Sequence, residues 1–355
     1  MGDLARRLEF EVAQQNSPSK QLTKHKQTKK EEVMNKQFAM LWTIAASVGL
    51  LVVGCQKSTE PTDEVAPAGV TDEVSSMKYQ AGEDEFVKND ELSFSDADVL
   101  PTDYGYLGKV DAAITPLRWG RFVRNVTRTI TIEVQPGDTT AIGHVHKNIV
   151  GTLKIRGINA NGDTILVEKP FNDESDRNVL FKRINRDTRK YWRNWIPVAT
   201  SLVEGGTVRN PQINITMVQL VKPNGDTVTI TDPQRYFLRY RWLRHRNGDT
   251  DMAELAGGDS VKVKVVLESA SPDTDLVALR FGMNSQFKNR ARMFLTGQRP
   301  GGTLGFVKVF ERTFYVHNRP GHFHAAVDAA TKATLFDDDV TKYSVSWWGV
   351  PYRVF

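Results

Sequence analysis

Cysteine is almost absent from this chain of 355 residues; Cys55 is the single one. One thiol excludes an intrachain disulfide framework and a thiolate metal cluster. Long apolar runs are equally scarce. The longest, Phe38 to Val53, has 16 residues. As a helix it spans roughly 24 Å, short of the ~30 Å hydrocarbon core of a bilayer. Catalytic signatures are missing too. There is no Gly-x-Ser-x-Gly elbow, no Gly-x-x-x-x-Gly-Lys phosphate loop and no His-Glu-x-x-His pair. These absences leave a soluble, non-stapled body with no marked chemistry. Glycosidase carboxylates follow no fixed spacing, so an envelope hydrolase with an unrecognised site stays open as an alternative.

What is present is unevenly charged. The net charge of +5 divides into +3 over residues 1–55, −10 over 56–103 and +12 over 104–355. Residues 1–33 are polar, with a lysine-rich run from Lys20 to Lys30, and are expected to be disordered. Met34 is followed at once by Lys36 and the apolar run, the order of a secretory signal. Met34 therefore reads as the true start and residues 1–33 as an upstream extension. Residues 56–103, rich in Pro, Asp, Glu, Ser and Thr, read together with Cys55 as an acidic flexible tether.

The apolar run ends in Leu51-Val52-Val53-Gly54-Cys55. Over residues 34–55 the chain resembles the bacterial lipoprotein signal peptides, whose lipobox Val52-Val53-Gly54-Cys55 matches position by position. The resemblance implies cleavage after Gly54 (signal peptide 34–54) and lipid attachment to Cys55. It also implies a membrane partner reached through that lipid, and Gln56 after the cysteine points to the outer rather than the inner membrane. Several acyl chains on one residue anchor firmly where a single chain binds marginally.

From Tyr104 onward the pattern has period two. Val126, Ile130, Ile132 and Val134 fall on one face, and further strands are expected at 149–158, 164–168, 213–221, 227–231, 236–243, 261–268, 275–281, 305–316, 322–330 and 343–350. Asn-Gly-Asp-Thr recurs at 161–164, 224–227 and 247–250; the first two read as type I′ hairpin turns. One helix is expected over Asn185–Trp195, closed by Pro197. The expected fold is mainly β, with two β-sandwich domains, 104–232 and 233–355, and one short helix. The second of these, ending in YSVSWWGVPYRVF, resembles an immunoglobulin-like β-sandwich in architecture.

Three groups of side chains are candidates for function. His144 and His146, like His322 and His324, are His-x-His pairs, which a strand points to one side. If strands 305–316 and 322–330 form a hairpin about Asn318–Gly321, then His317, His322 and His324 share a face suited to Zn²⁺ or Cu²⁺. Without that site no cofactor is expected. Arg235, Arg239 and Arg241, interleaved with aromatics, could present a cationic face, and Trp348 among serines could stack on a sugar or dock a neighbouring domain. The leading expectation is a non-catalytic, lipid-anchored envelope protein that binds or scaffolds an envelope protein or glycan. A metal-binding envelope module is the alternative; an exported protein is not expected to meet nucleic acid.

Overall fold

The computed structural model describes residues 66–84, 87–88, 97–99, 112–239, 253–281, 289–323, 325–350 and 352–355. The signal segment and Cys55 lie outside them. Among the described residues no helix is long and apolar enough to cross a membrane.

The acidic stretch expected to be a flexible tether contains a docked helix, α1 (Glu73–Glu83). Its start is set locally. The Asp72 carboxylate accepts the Ser75 amide at 2.6 Å, and the Ser75 hydroxyl accepts the Asp72 amide at 2.9 Å, a reciprocal cap. Met77, Ala81 and Val87 then bury against Ala141, Val145, Val179, Phe181 and Trp195. The polar composition hides this because three apolar side chains suffice once a sheet receives them. Glu73 fixes the helix further. Its carboxylate accepts Arg183 at 3.0 and 2.8 Å, Asn194 Nδ2 at 2.6 Å and Trp195 Nε1 at 2.9 Å.

The strands follow in chain order. β1 (Ala97–Val99), β2 (Ile114–Val134), β3 (Thr140–Asn159) and β4 (Thr164–Arg183) form an antiparallel meander with long arms. β5 (Trp195–Ser201) and β6 (Glu204–Thr207) line the free edge of β4 in succession. β7 (Ile213–Val221) and β8 (Thr227–Ile230) leave for a second sheet, and β9 (Phe237–Arg239) returns to β5. Next come β10 (Ala253–Leu255), β11 (Ser260–Ser269), β12 (Leu276–Phe281), β13 (Asn289–Arg292), β14 (Phe294–Pro300) and β15 (Phe306–Tyr315). β16 (Gly321–Phe323), β17 (Ala325–Ala330), the short helix α2 (Lys332–Phe336), β18 (Val345–Gly349) and β19 (Tyr352–Val354) complete the described chain.

The protein is mainly β, and its described strands form three sheets. The large one runs β1-β2-β3-β4-β6-β18-β17-β12-β13, with β5 and β9 attached beside β4. A five-stranded sheet runs β14-β15-β11-β7-β8, and β10-β19-β16 form a small third sheet. The break expected at 232–233 divides no sheet. β7 pairs with β11, and β6 pairs with β18, so strands from both sides of that point are neighbours in each of the larger sheets. The reason is edge pairing: β6 and β7 each present unpaired backbone groups that only later strands complete.

Two local expectations also change. In the hairpins at 161–164 and 224–227 only Gly162 and Gly225 take positive φ, 88° in each, and their amides bond the carbonyls of Asn159 and Lys222 at 3.0 Å. These are turns closed by one left-handed glycine rather than type I′ turns, which need two such residues. The third copy of the motif lies outside the described residues. Over 185–195 only a single 3-10 turn, Tyr191–Arg193, forms before β5 begins at Trp195. Asp187 and Asn194 take up the local amides, and the Tyr191 hydroxyl bonds the Val70 carbonyl at 3.0 Å, so the aromatic residues hold α1 instead of making a helix stripe.

Besides the layer under α1, two larger interiors form among the described residues. Val261, Val263, Val265 and Leu267 of β11, all fully buried, pack with Phe310 of β15 against Val277, Leu279, Val327 and Trp348 of the large sheet. This is the sandwich core. The large sheet's other face curls over itself, so that Trp119, Leu153 and Phe171 of the arms meet Val345, Trp347 and Leu335. Arg121 of β2 reaches Asp328 of β17 at 2.9 Å across that curl, although β3, β4, β6 and β18 separate the two strands. A Cβ at Gly205 would lie 2.3 Å from the Trp347 ring and 2.6 Å from the Glu174 carbonyl, so only glycine lets β6 pass there.

Candidate binding surface

The histidine hairpin does not form. β15 pairs with β11 and β14, β16 pairs with β19, and β17 belongs to the large sheet. His317 Nδ1 accepts the Arg319 amide at 3.3 Å, so that nitrogen is engaged within its own turn. Its ring packs edge-on against Phe323, with centroids 4.0 Å apart. The His322 side chain and His324 lie outside the described residues. His144 and His146 do share a face of β3, but each is engaged separately: His144 with Asn178 at 2.7 Å and His146 with Asp176 at 2.9 Å. Among the described residues no group of three or more His, Cys, Asp or Glu could hold a metal ion.

Of the expected arginine face only Arg235 has a described side chain. Residues 233–235 form a 3-10 turn capped by Asp232, and strand pairing there covers only β9. Arg235 is exposed and pairs with Asp232 at 3.3 Å. Of Arg239 only the backbone is described, and Arg241 lies outside. Trp348 is buried in the sandwich core, at 4% exposure, so it packs sheet on sheet rather than standing out from a serine-lined face.

Among the described residues, three open clefts stand out. One, ≈ 510 Å³, is lined by Arg209, Gln212, Ser271, Thr331, Lys342 and Ser344. A second, ≈ 410 Å³, gathers Glu174, Asp176, Glu204, Asn214, Thr303 and Ser346. Burial holds the Glu204 carboxyl above its ordinary range, although the Gln234 amide donates to it. Thr303 gives both its hydroxyl, at 2.5 Å, and its amide, at 2.8 Å, to Glu268. Those bonds hold Glu268 below the usual carboxylate range and make it a weak base for activating that hydroxyl.

The third cleft lies on the outer face of the five-stranded sheet, ≈ 370 Å³ lined by Lys262, Phe294, Thr296, Glu311, Arg312 and Thr313. Alternation builds all of it but Arg312, which shares the parity of Phe310 and Phe314. Phe310 and Phe314 point into the sandwich, so Glu311, Thr313 and Tyr315 point out. Register then places Thr229, Gln219, Lys264, Glu311 and Phe294 in one row across five strands, with Lys262 beside Thr313 in the next. Lys262 bonds Glu311 at 2.9 Å, and the Arg312 guanidinium lies 5.2 Å from the centre of the Phe294 ring. Phe294 is 48% exposed and Tyr315 76%. Tyr315 stands four residues along β15 from Glu311, roughly 13 Å.

Exposed aromatic faces separated by donors and acceptors can stack on ring C–H groups while bonding hydroxyls. The two lysines and Arg312 against Glu311 make this patch cationic. The strand over 305–316 and its alternation were readable in the sequence. That Phe294 joins the same face was not, because it depends on which strand pairs with β15. Compared with protein-family models, curated proteins and solved structures, the chain matches none.

Proposed function

We propose that this chain is a lipid-anchored protein of the bacterial cell envelope that binds rather than catalyses. Cys55, lipidated after cleavage at Gly54, holds it in the outer membrane, and the open face of the five-stranded sheet engages an anionic envelope glycan. The lipobox Val52–Cys55 supports the anchor. The observation that carries the binding reading is the pair Phe294 and Tyr315, exposed on one face with Lys262, Lys264, Glu311 and Thr313 between or beside them. A solvated sheet face has no need of a phenol ring three-quarters in water. The basic balance of residues 104–355 adds a general attraction for anionic polymers.

Two measurements test the reading separately. Labelled fatty acid enters the wild type and not Cys55→Ser; equal labelling of both removes the anchor. In affinity electrophoresis through acidic polysaccharide from the native envelope, the wild type is retarded. Phe294→Ala and Tyr315→Ala each weaken retention roughly tenfold, about 1.4 kcal/mol. Retention that ignores both substitutions removes the site.

A further inference from the structure

Lys308 and Asp275 form an ion pair with no exposure on either side chain. Lys308 Nζ stands 2.7 Å from Asp275 Oδ2 and also donates to the Asp273 carbonyl. Lys308 belongs to β15 of the five-stranded sheet, and Asp275 immediately precedes β12 of the large sheet. Taking two opposite charges wholly out of water costs more than their attraction usually returns, whereas a neutral amide with its hydrogen bonds made is cheap to bury. The other ion pairs with both side chains almost buried among the described residues, Arg121 and Arg280 with Asp328, involve guanidinium groups, which are not nucleophiles.

We propose that Lys308 and Asp275 condense into an isopeptide bond that covalently joins the two faces of the sandwich. The ammonium returns one proton to Oδ2, giving a neutral amine beside a carboxylic acid. Nζ attacks Cγ, the Cγ–Oδ2 bond breaks, and Oδ2 departs as water with two of the three protons that Nζ carried. The third stays on the new amide nitrogen, facing the Asp273 carbonyl that already accepts from Nζ. No oxidant or further reactant is consumed.

The surroundings suit each step. Oδ1, which becomes the amide oxygen and carries negative charge on the way, is buried without a completed hydrogen bond. The Ser269 hydroxyl and the Lys332 amide lie near the carboxyl group and favour its charged form. Burial raises the Asp275 carboxyl above its ordinary range, which favours the acid form that must lose its hydroxyl.

The test is a peptide map of the full chain isolated in its folded state. The expected result is a branched peptide joining the Asp275 and Lys308 segments, lighter than their sum by one water. Lys308→Arg, which keeps the charge, yields the two peptides separately. Folded wild type that gives both peptides unlinked, at full mass, overturns the proposal. That outcome is read on the wild type alone, so it holds whether or not the variant folds.

Discussion

The sandwich core and the curl of the large sheet are both buried, yet they are built from different materials. The first, from Leu202 to Val354, is aliphatic and aromatic, with the Lys308–Asp275 pair as the one ion pair buried between its two sheets among the described residues. The second buries Arg121, Lys169, Asp173, Arg280 and Asp328 among its apolar residues. Asp328 accepts Arg280 at 2.5 Å and Arg121 at 2.9 Å; Asp173 accepts the Tyr343 hydroxyl at 2.7 Å; Lys169 donates to the carbonyls of Ala333 and Lys342 at 2.9 and 3.0 Å. An apolar layer gains from any close packing, so it stabilises without fixing which strands meet. A buried ion is tolerable in one arrangement only, so the charged layer sets where β2 comes to rest on β17.

The largest expected effects lie in the two interiors themselves. Phe310→Ala and Asp328→Ala should each cost about 3–5 kcal/mol in urea unfolding, the first by a cavity and the second by stranding two guanidinium groups. They differ in repair. Replacing Arg121 and Arg280 by Met alongside Asp328→Leu should recover most of the loss, because the ions contribute geometry rather than net stability. A triple variant as unstable as Asp328→Ala would erase the distinction.

Glu73→Ala comes next, at about 3 kcal/mol, because it removes the acceptor of four donated hydrogen bonds. The loss should be local. Hydrogen exchange should rise over 73–83 and the covered part of β5, while β11 and β15 stay protected; equal loss everywhere would make α1 part of the global fold.

The pH dependence separates the interiors further. Burial pushes the Asp173 carboxyl up to about 7, outweighing Tyr343, Arg121 and Thr207, which lower it. The folded state therefore binds a proton more tightly than the unfolded state. That contribution is complete below the ordinary carboxylate range of about 4 and is lost as pH rises through about 7. Asp173→Asn should flatten this decline, changing the wild-type-minus-variant difference between pH 4 and pH 8 by on the order of 4 kcal/mol. A pH-independent difference would place the charge of Asp173 outside the folding balance.

The smallest effect on stability belongs to the outer face. Tyr315→Ala should change unfolding by no more than about 0.5 kcal/mol while weakening glycan retention roughly tenfold. A matching loss of stability would show that the ring is structural.

The contrast between interiors also explains what the sequence let one read. β11, VKVKVVLE, alternates visibly because one face is aliphatic, and its expected span of 261–268 matches Ser260–Ser269. β4 runs to Arg183, yet only 164–168 reads as a strand, because its inward residues beyond Val167 include Lys169, Asp173, Ser175 and Arg177. Period two is present there, but both faces are polar. α1 was hidden for a related reason: its cap, Asp72 with Ser75, is readable, but its few apolar residues acquire meaning only from the sheet they cover. The candidate surface was half legible, since Tyr315 follows from alternation and Phe294 from pairing alone.

The docking of α1 has a consequence for reach. The compact unit begins at Val65, so the chain between it and Cys55 is ten residue steps rather than the whole acidic stretch. Ten steps span at most about 36 Å. On the lipidation proposed here, a leash that short confines the body to a shallow layer over the membrane, where a surface polymer is met at an effective concentration in the millimolar range. A site of only modest intrinsic affinity would then stay occupied, and lengthening the leash would weaken occupancy without altering a single contact.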